Sequence, residues 1–157
     1  MPGKFDPDTL GFLIADVSRL LRAEFDRRTS EAGMGLTPGE ARALSHAARA
    51  GSVRQNVLAD KMGVEAMTLS GYIDRLEARG LVARTPDPTD RRAKLVHVTE
   101  AAHAVLDEIA RISVGLRADL AVEMTPAQIE ALLGDLKQVR ANLIAMRPEC
   151  AKGSVAA

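Results

Sequence analysis

Residues 54–99 leave this chain little choice of fold: RQNVLADKMGVEAMTLSGYIDRLEARGLVARTPDPTDRRAKLVHVT. Leu58 and Met62 stand four apart, so they share one face of a helix. Leu69, Tyr72, Ile73 and Leu76 repeat at spacings of three and four, which predicts a second helix over 65–79. Between the two, Gly63 accepts a positive φ at little steric cost, so the first helix can stop and the chain can turn sharply. Ala59 is small enough for the helices to pack closely across that turn. The apolar faces are then consumed by each other, and Ala66, Met67, Thr68, Ser70, Gly71 and Arg75 are left facing outward. Stretches 81–85 and 93–98 have strand character. The link between them, 86–92, holds two prolines and two aspartates and reads as an exposed turn. The expected fold is mainly α: a winged helix-turn-helix of about six helices with a two-stranded β-hairpin wing.

The outward face of the second helix suits a DNA major groove. Short side chains let the helix backbone approach the bases. Thr68 and Ser70 can bond to base edges or phosphates, and Met67 can touch a thymine methyl. Arg75 can reach either a base or a phosphate. At the wing, Arg91 and Arg92 can enter a narrow minor groove or grip phosphates, with Asp90 holding one of them by a charge-assisted bond. Arg84 and Lys94 on the strands, and Arg54 and Gln55 before the first helix, are further candidates for phosphate contacts. The bland alternatives are a small-residue face packed on another helix and a solvated charged loop. The juxtaposition of helix-turn-helix and wing favours DNA.

The run resembles the MarR family of bacterial winged-helix regulators. The resemblance is carried by Leu36-Thr37, Leu58-Ala59, Gly63-Val64, Asp74-Arg75-Leu76-Glu77, Gly80-Leu81-Val82, Asp90-Arg91-Arg92 and Val98-Thr99, and it covers about residues 6–147. It implies that 65–79 is the recognition helix and that Arg92, with Arg91, is the wing arginine. Three positions depart from the family pattern. Gly71 stands where a larger, often basic, residue is common, Glu65 where a Ser or Thr cap is common, and Ala102 where glycine is usual.

One domain is the expectation for 157 residues. With no Trp, one Tyr and three Phe, its core must be aliphatic. Formal net charge is zero, and residues 54–98 carry eight Lys/Arg against six Asp/Glu. That is less basic than the usual footprint of a DNA binder. Cys150 is the single cysteine, so a disulfide framework is ruled out and a reducing cytoplasm is the simplest setting. Neither a signal peptide nor a membrane span is expected.

Asp6-Pro7 is a good helix start, and Leu10, Leu13, Ile14, Val17, Leu20, Leu21 and Phe25 continue an amphipathic helix over 6–32. Gly33 and Gly35 end it. Thr37-Pro38-Gly39-Glu40 is a capping box with proline at the first helical position; that helix runs to about residue 50, its inner face Ala43, Leu44, Ala47 and Ala48. After the wing, Thr99 is expected to cap a helix. Thr125-Pro126-Ala127-Gln128 is a second capping box opening a helix that Pro148 stops, with a frayed tail at 151–157. The helices at 6–32 and 100–147 carry more apolar surface than a small winged helix can cover. Like the family's, they are expected to join two copies into a homodimer, with 37–99 as the DNA-binding lobe.

No catalytic constellation is visible. Glu100 and His103 share a helical face but lack the further ligands of a carboxylate-bridged metal centre. Neither metal nor cofactor is expected, and Cys150 reads as an incidental thiol. Family resemblance implies release by a small aromatic or phenolic acid or by an oxidant, with Phe25 and His46 as residues to watch for a ligand. The expected function is therefore a DNA-binding transcriptional regulator, a repressor acting as a homodimer on a pseudo-palindromic operator of double-stranded DNA. A winged-helix module that docks proteins instead of DNA is the rival reading, and a small helical enzyme the third.

Overall fold

A computed structural model describes residues 8–146. Asp6, Pro7, Pro148, Cys150 and the tail at 151–157 lie outside the described residues. The chain divides into two compact units, one reaching Leu116 and one starting at Arg117.

In the first unit α1 (Leu10–Glu31) and α2 (Pro38–Ala50) precede a short strand β1 (Val53–Arg54), then α3 (Gln55–Met62) and α4 (Ala66–Ala78). Strands β2 (Val82–Pro86) and β3 (Lys94–Val98) form the wing, and a 3-10 turn (Glu100–Ala102) leads into α5 (His103–Leu120). Helix α1 begins at Leu10 behind Thr9, later than expected, and the Thr9 side chain makes no capping bond. At α2 the capping box forms as read: the Glu40 amide donates to Thr37 Oγ1 at 3.3 Å, and the Thr37 amide to Glu40 Oε2 at 3.0 Å.

Gly63 ends α3 in the left-handed region at φ 62°, and the Val64 amide reaches back to the Ala59 carbonyl at 3.1 Å. A residue with a Cβ would meet strain at that φ. The turn sets α4 against α3 and α2, so Leu58, Leu69, Ile73 and Leu76 are fully buried together with Leu44. Each such side chain contributes about 1.5–3 kcal/mol relative to exposure.

The sheet has three strands in the order β1-β3-β2, all antiparallel, one more than the sequence predicts. Val53 opposes Val96, and Val82 opposes Val98. Two residues are too few to show an alternating pattern, which is why β1 escapes a sequence reading. Thr99 differs from expectation as well. Its amide donates to the Leu81 carbonyl and its hydroxyl to the Gly80 carbonyl, so closure of the sheet takes the group that would have capped a helix.

Along α1, Leu10, Phe12, Leu13, Ile14, Val17 and Leu20 are exposed in the single chain. The second unit contains α6 (Pro126–Ala145), opened by the Thr125/Gln128 capping box. None of its residues is buried, and Leu132, Leu133, Leu136, Leu143 and Ile144 are exposed. Among the described residues, no helix is long and apolar enough to cross a membrane.

Candidate nucleic-acid interface

Helix α4 turns Leu69, Ile73 and Leu76 inward, which forces the intervening positions out. Met67 is 87% exposed, Thr68 is exposed and Ser70 is half-buried. Glu65, at the N-cap, makes no side-chain capping bond, so the first-turn amides of α4 keep their donors for another acceptor. Two tertiary ties hold the helix in place. Arg75 Nε donates to Glu40 Oε1 on α2, and Arg79 at the C-cap donates to the carbonyls of Gly35 and Met34.

The wing is held at its base by Asp87, which is buried. Its carboxylate accepts from Arg54 Nε at 2.5 Å, from the Thr89 amide at 2.8 Å and from the Thr89 hydroxyl at 2.7 Å. The Thr89 hydroxyl and amide, then Arg54, hold the Asp87 carboxyl at about 2, below its ordinary 3.8. Asp90 does not grip a guanidinium as expected: its Oδ1 accepts from the Arg92 backbone amide at 3.0 Å. Tight-turn geometry brings the amide two residues on within reach of a short carboxylate and leaves the long side chain outside. The side chains of Arg91, Arg92 and Lys94 are exposed, and none of them forms an ion pair among the described residues.

Arg84 is placed differently. Strand β2 leaves α4 and runs back beside its last turns, so the Arg84 guanidinium meets Glu77 and Asp74, both at 2.5 Å. Its Nε donates to Gln55 Oε1 at 3.3 Å. Burial opposes the Arg84 charge, but the two carboxylates outweigh it and raise the pKa. This side chain braces the wing against α4.

Where α3 begins, Arg54, Gln55 and Asn56 face Asp90, Arg92 and Lys94 of the wing across an open cavity of about 410 Å³. Four of the candidate residues thus converge on one groove. Sequence reasoning missed Asn56, and it missed the carboxylates of Glu40, Asp74, Glu77 and Asp87 that decide which arginines are free. Only the alternation of acids and arginines along the chain hints at them.

Phe25 and His46 also come together. They line a second open cavity of about 390 Å³, with Leu21 and Leu116 on its apolar side and Arg42 and Arg49 on its cationic side. Burial lowers the His46 pKa, and Arg49, Arg42 and Lys61 lower it further. Arg42 is itself paired with Asp26 of α1. Among the described residues, no three His, Cys, Asp or Glu side chains cluster to hold a metal ion.

Comparison with known proteins agrees with this geometry. A family model described as MarR family matches residues 34–93. A Thauera aromatica protein assigned as the transcriptional regulatory protein for the hcr operon is 30% identical over 112 residues, 71% of this chain and 68% of that one. The crystal structure of transcriptional regulator PA3341 superposes with a TM-score of 0.74 at 35% identity, covering 87% of this chain and 99% of that one. A MarR-family regulator from Rhodococcus sp. RHA1 gives 0.73 at 25% identity, covering 87% and 96%. The chain belongs to the MarR family of DNA-binding transcriptional regulators.

Proposed function

We propose that the protein is a cytoplasmic repressor that binds a pseudo-palindromic operator as a homodimer and is released by a small aromatic or phenolic acid. The observation that carries the DNA reading is the convergence of Arg54, Gln55, Arg92 and Lys94 on one groove, together with an α4 whose outer face offers Met67, Thr68, Ser70 and Arg75. In this reading α4 enters the major groove. Arg92 and Lys94 take phosphates or the adjacent minor groove, and Arg91 extends the contact from the tip. Arg84 leaves the contact set, because two carboxylates occupy it.

The exposed leucines of α1 and α6 support self-association: they are apolar stripes of the kind that a second copy covers. Segments 6–32 and 100–147 then serve as dimerisation helices and 37–99 as the DNA-binding lobe. A twofold dimer sets its recognition helices about one DNA turn, roughly 34 Å, apart. For the effector, the cavity beside Phe25 and His46 pairs an apolar wall with cations, which suits an aromatic ring bearing a carboxylate. An acid acts there only if it binds one geometry of the dimer better than the other.

Selection of genomic fragments by the purified protein tests the reading. The expected result is an inverted repeat with half-sites one turn apart, bound by a species of about twice 16.8 kDa in sedimentation. A benzoate-type acid is expected to weaken that binding, and not when His46 and Phe25 are replaced. A lone 16.8 kDa species on DNA refutes the dimer; fragments without a shared motif refute the operator.

A further inference from the structure

Arg75 is the only Lys or Arg within α4, and three neighbours fix it. Its Nε donates to Oε1 of Glu40, whose other oxygen is anchored by the Thr37 amide. The Glu40 side chain is 5% exposed, while that of Arg75 is 56% exposed. The Tyr72 ring lies under the guanidinium, with its centre 5.6 Å from Arg75 Cζ. That ring is itself pressed on α2, since a Cβ added at Gly39 would lie 2.4 Å from Tyr72 Cζ. Gly71 supplies the third side. A Cβ there would lie 3.5 Å from Arg75 Nη1, so the guanidinium lies back along the outer face over position 71.

We propose that Glu40 is a positioning residue for sequence recognition, fixing Arg75 so that its two terminal nitrogens meet a guanine edge in the major groove. The inference rests on the reading that α4 enters that groove. A phosphate contact asks mainly for charge, and the Glu40 carboxylate offsets the charge of Arg75. Bidentate contact with guanine O6 and N7 asks for geometry, and geometry is what this clamp supplies. With Nε already held, the side chain loses little further rotamer freedom on binding. The absence of a side chain at Gly71 keeps the surface above the guanidinium open.

Selection from randomised duplexes tests it with the full chain and three variants: Glu40→Gln, Arg75→Ala and Gly71→Leu. Glutamine still completes the capping box, so α2 keeps its start. Leucine at 71 leaves both charges in place and fills the surface that the guanidinium occupies. The wild type is expected to demand a guanine in each half-site, preferred by roughly ten-fold or more. All three variants are expected to lose that preference, while affinity for unrelated DNA stays within about two-fold, because no phosphate contact is removed. A guanine preference that survives in Glu40→Gln or Arg75→Ala overturns the proposal, as does an equal loss of affinity for every sequence. If the wild type selects no motif, the groove reading fails and takes the proposal with it. A motif that all three variants share with the wild type overturns the positioning role alone.

Discussion

Substituting alanine at two helical glycines is expected to move stability in opposite directions. Gly39 and Gly71 both lie inside helices, so both lose backbone freedom that alanine would not have; the gain from Gly→Ala is about 0.5–1 kcal/mol at each. Space differs between them. A Cβ at 71 meets its nearest atom, Arg75 Nη1, at 3.5 Å, an ordinary contact. At 39 it would stand 2.4 Å from Tyr72 Cζ and 2.5 Å from its hydroxyl oxygen. Carbon pairs rest at about 3.5–4.0 Å, so the ring must retreat by roughly 1 Å from a helix contact that it now fills. Overpacking of that kind costs about 1–3 kcal/mol, more than the helical gain. Gly39→Ala is therefore expected to destabilise by about 1–2 kcal/mol and to lower Tm by about 2–8 °C at this chain size. Gly71→Ala is expected to raise Tm by about 1–4 °C. Circular dichroism melts at equal protomer concentration measure both, since the proposed self-association would make Tm depend on concentration. A Tyr72→Ala background closes the cycle: without the ring, Gly39→Ala should cease to destabilise. Gly39→Ala melting at or above the wild type refutes the close approach of α4 to α2.

The Asp87 carboxyl, held at about 2, contributes stability that is present above its ordinary 3.8 and lost as pH falls through about 2. The wing lock should therefore outlast mild acid, whereas Asp87→Ala should loosen the wing at neutral pH. Amide exchange across 86–94 reads this, and unchanged protection in the variant refutes it. His46 has the same sign of linkage in a higher pH window. Burial, with Arg49, Arg42 and Lys61, lowers its folded pKa, so the unfolded chain protonates first. Stability should fall as pH drops below about 6.5, and His46→Gln should flatten that slope in pH-dependent melts. At the wing, Arg92→Ala should weaken operator binding several-fold. It should also reduce the salt slope of log K by about two units, one for each protomer, from about −5 for a dimer using Arg91, Arg92 and Lys94. A wild-type slope near −10 would mean that many more cations are engaged than these.

How far the sequence carries the fold depends on the range of the interactions. Helix α2 and helix α6 announce themselves, because each capping box lies within four residues and both form as read. Gly63 is equally local, and it turns the chain where expected. Strand β1 is not legible, because its two residues make sense only against Val96 and Leu95 some forty positions later. Thr99 misleads for the same reason. A hydroxyl ahead of a helix reads as a cap, but in space the Gly80 carbonyl stands closer to its purpose. The cavity beside Phe25 and His46 falls between the two cases. Phe25 and His46 are brought to one cavity by the packing of α1 on α2, and the Arg42–Asp26 pair bridges the same two helices. The apolar stripe of α1 predicts that packing only for its C-terminal part.

Charge is where composition says least, and the ion pairs explain why. Residues 54–98 hold eight Lys/Arg and six Asp/Glu. Within that segment Arg54 is taken by Asp87, and Arg84 by Asp74 and Glu77, while Glu40 of α2 reaches in to take Arg75. Three arginines and three of the segment's acids are thus engaged, which leaves the balance at the same small surplus. The balance alone cannot report that Arg91, Arg92 and Lys94 remain outward beside a single acid, Asp90, whose Oδ1 is occupied by a backbone amide. A weak overall field with a local basic tip gives little non-specific attraction to DNA. Discrimination must then come from contacts whose geometry is set in advance, and the arginine held over Gly71 is the one on α4 built that way.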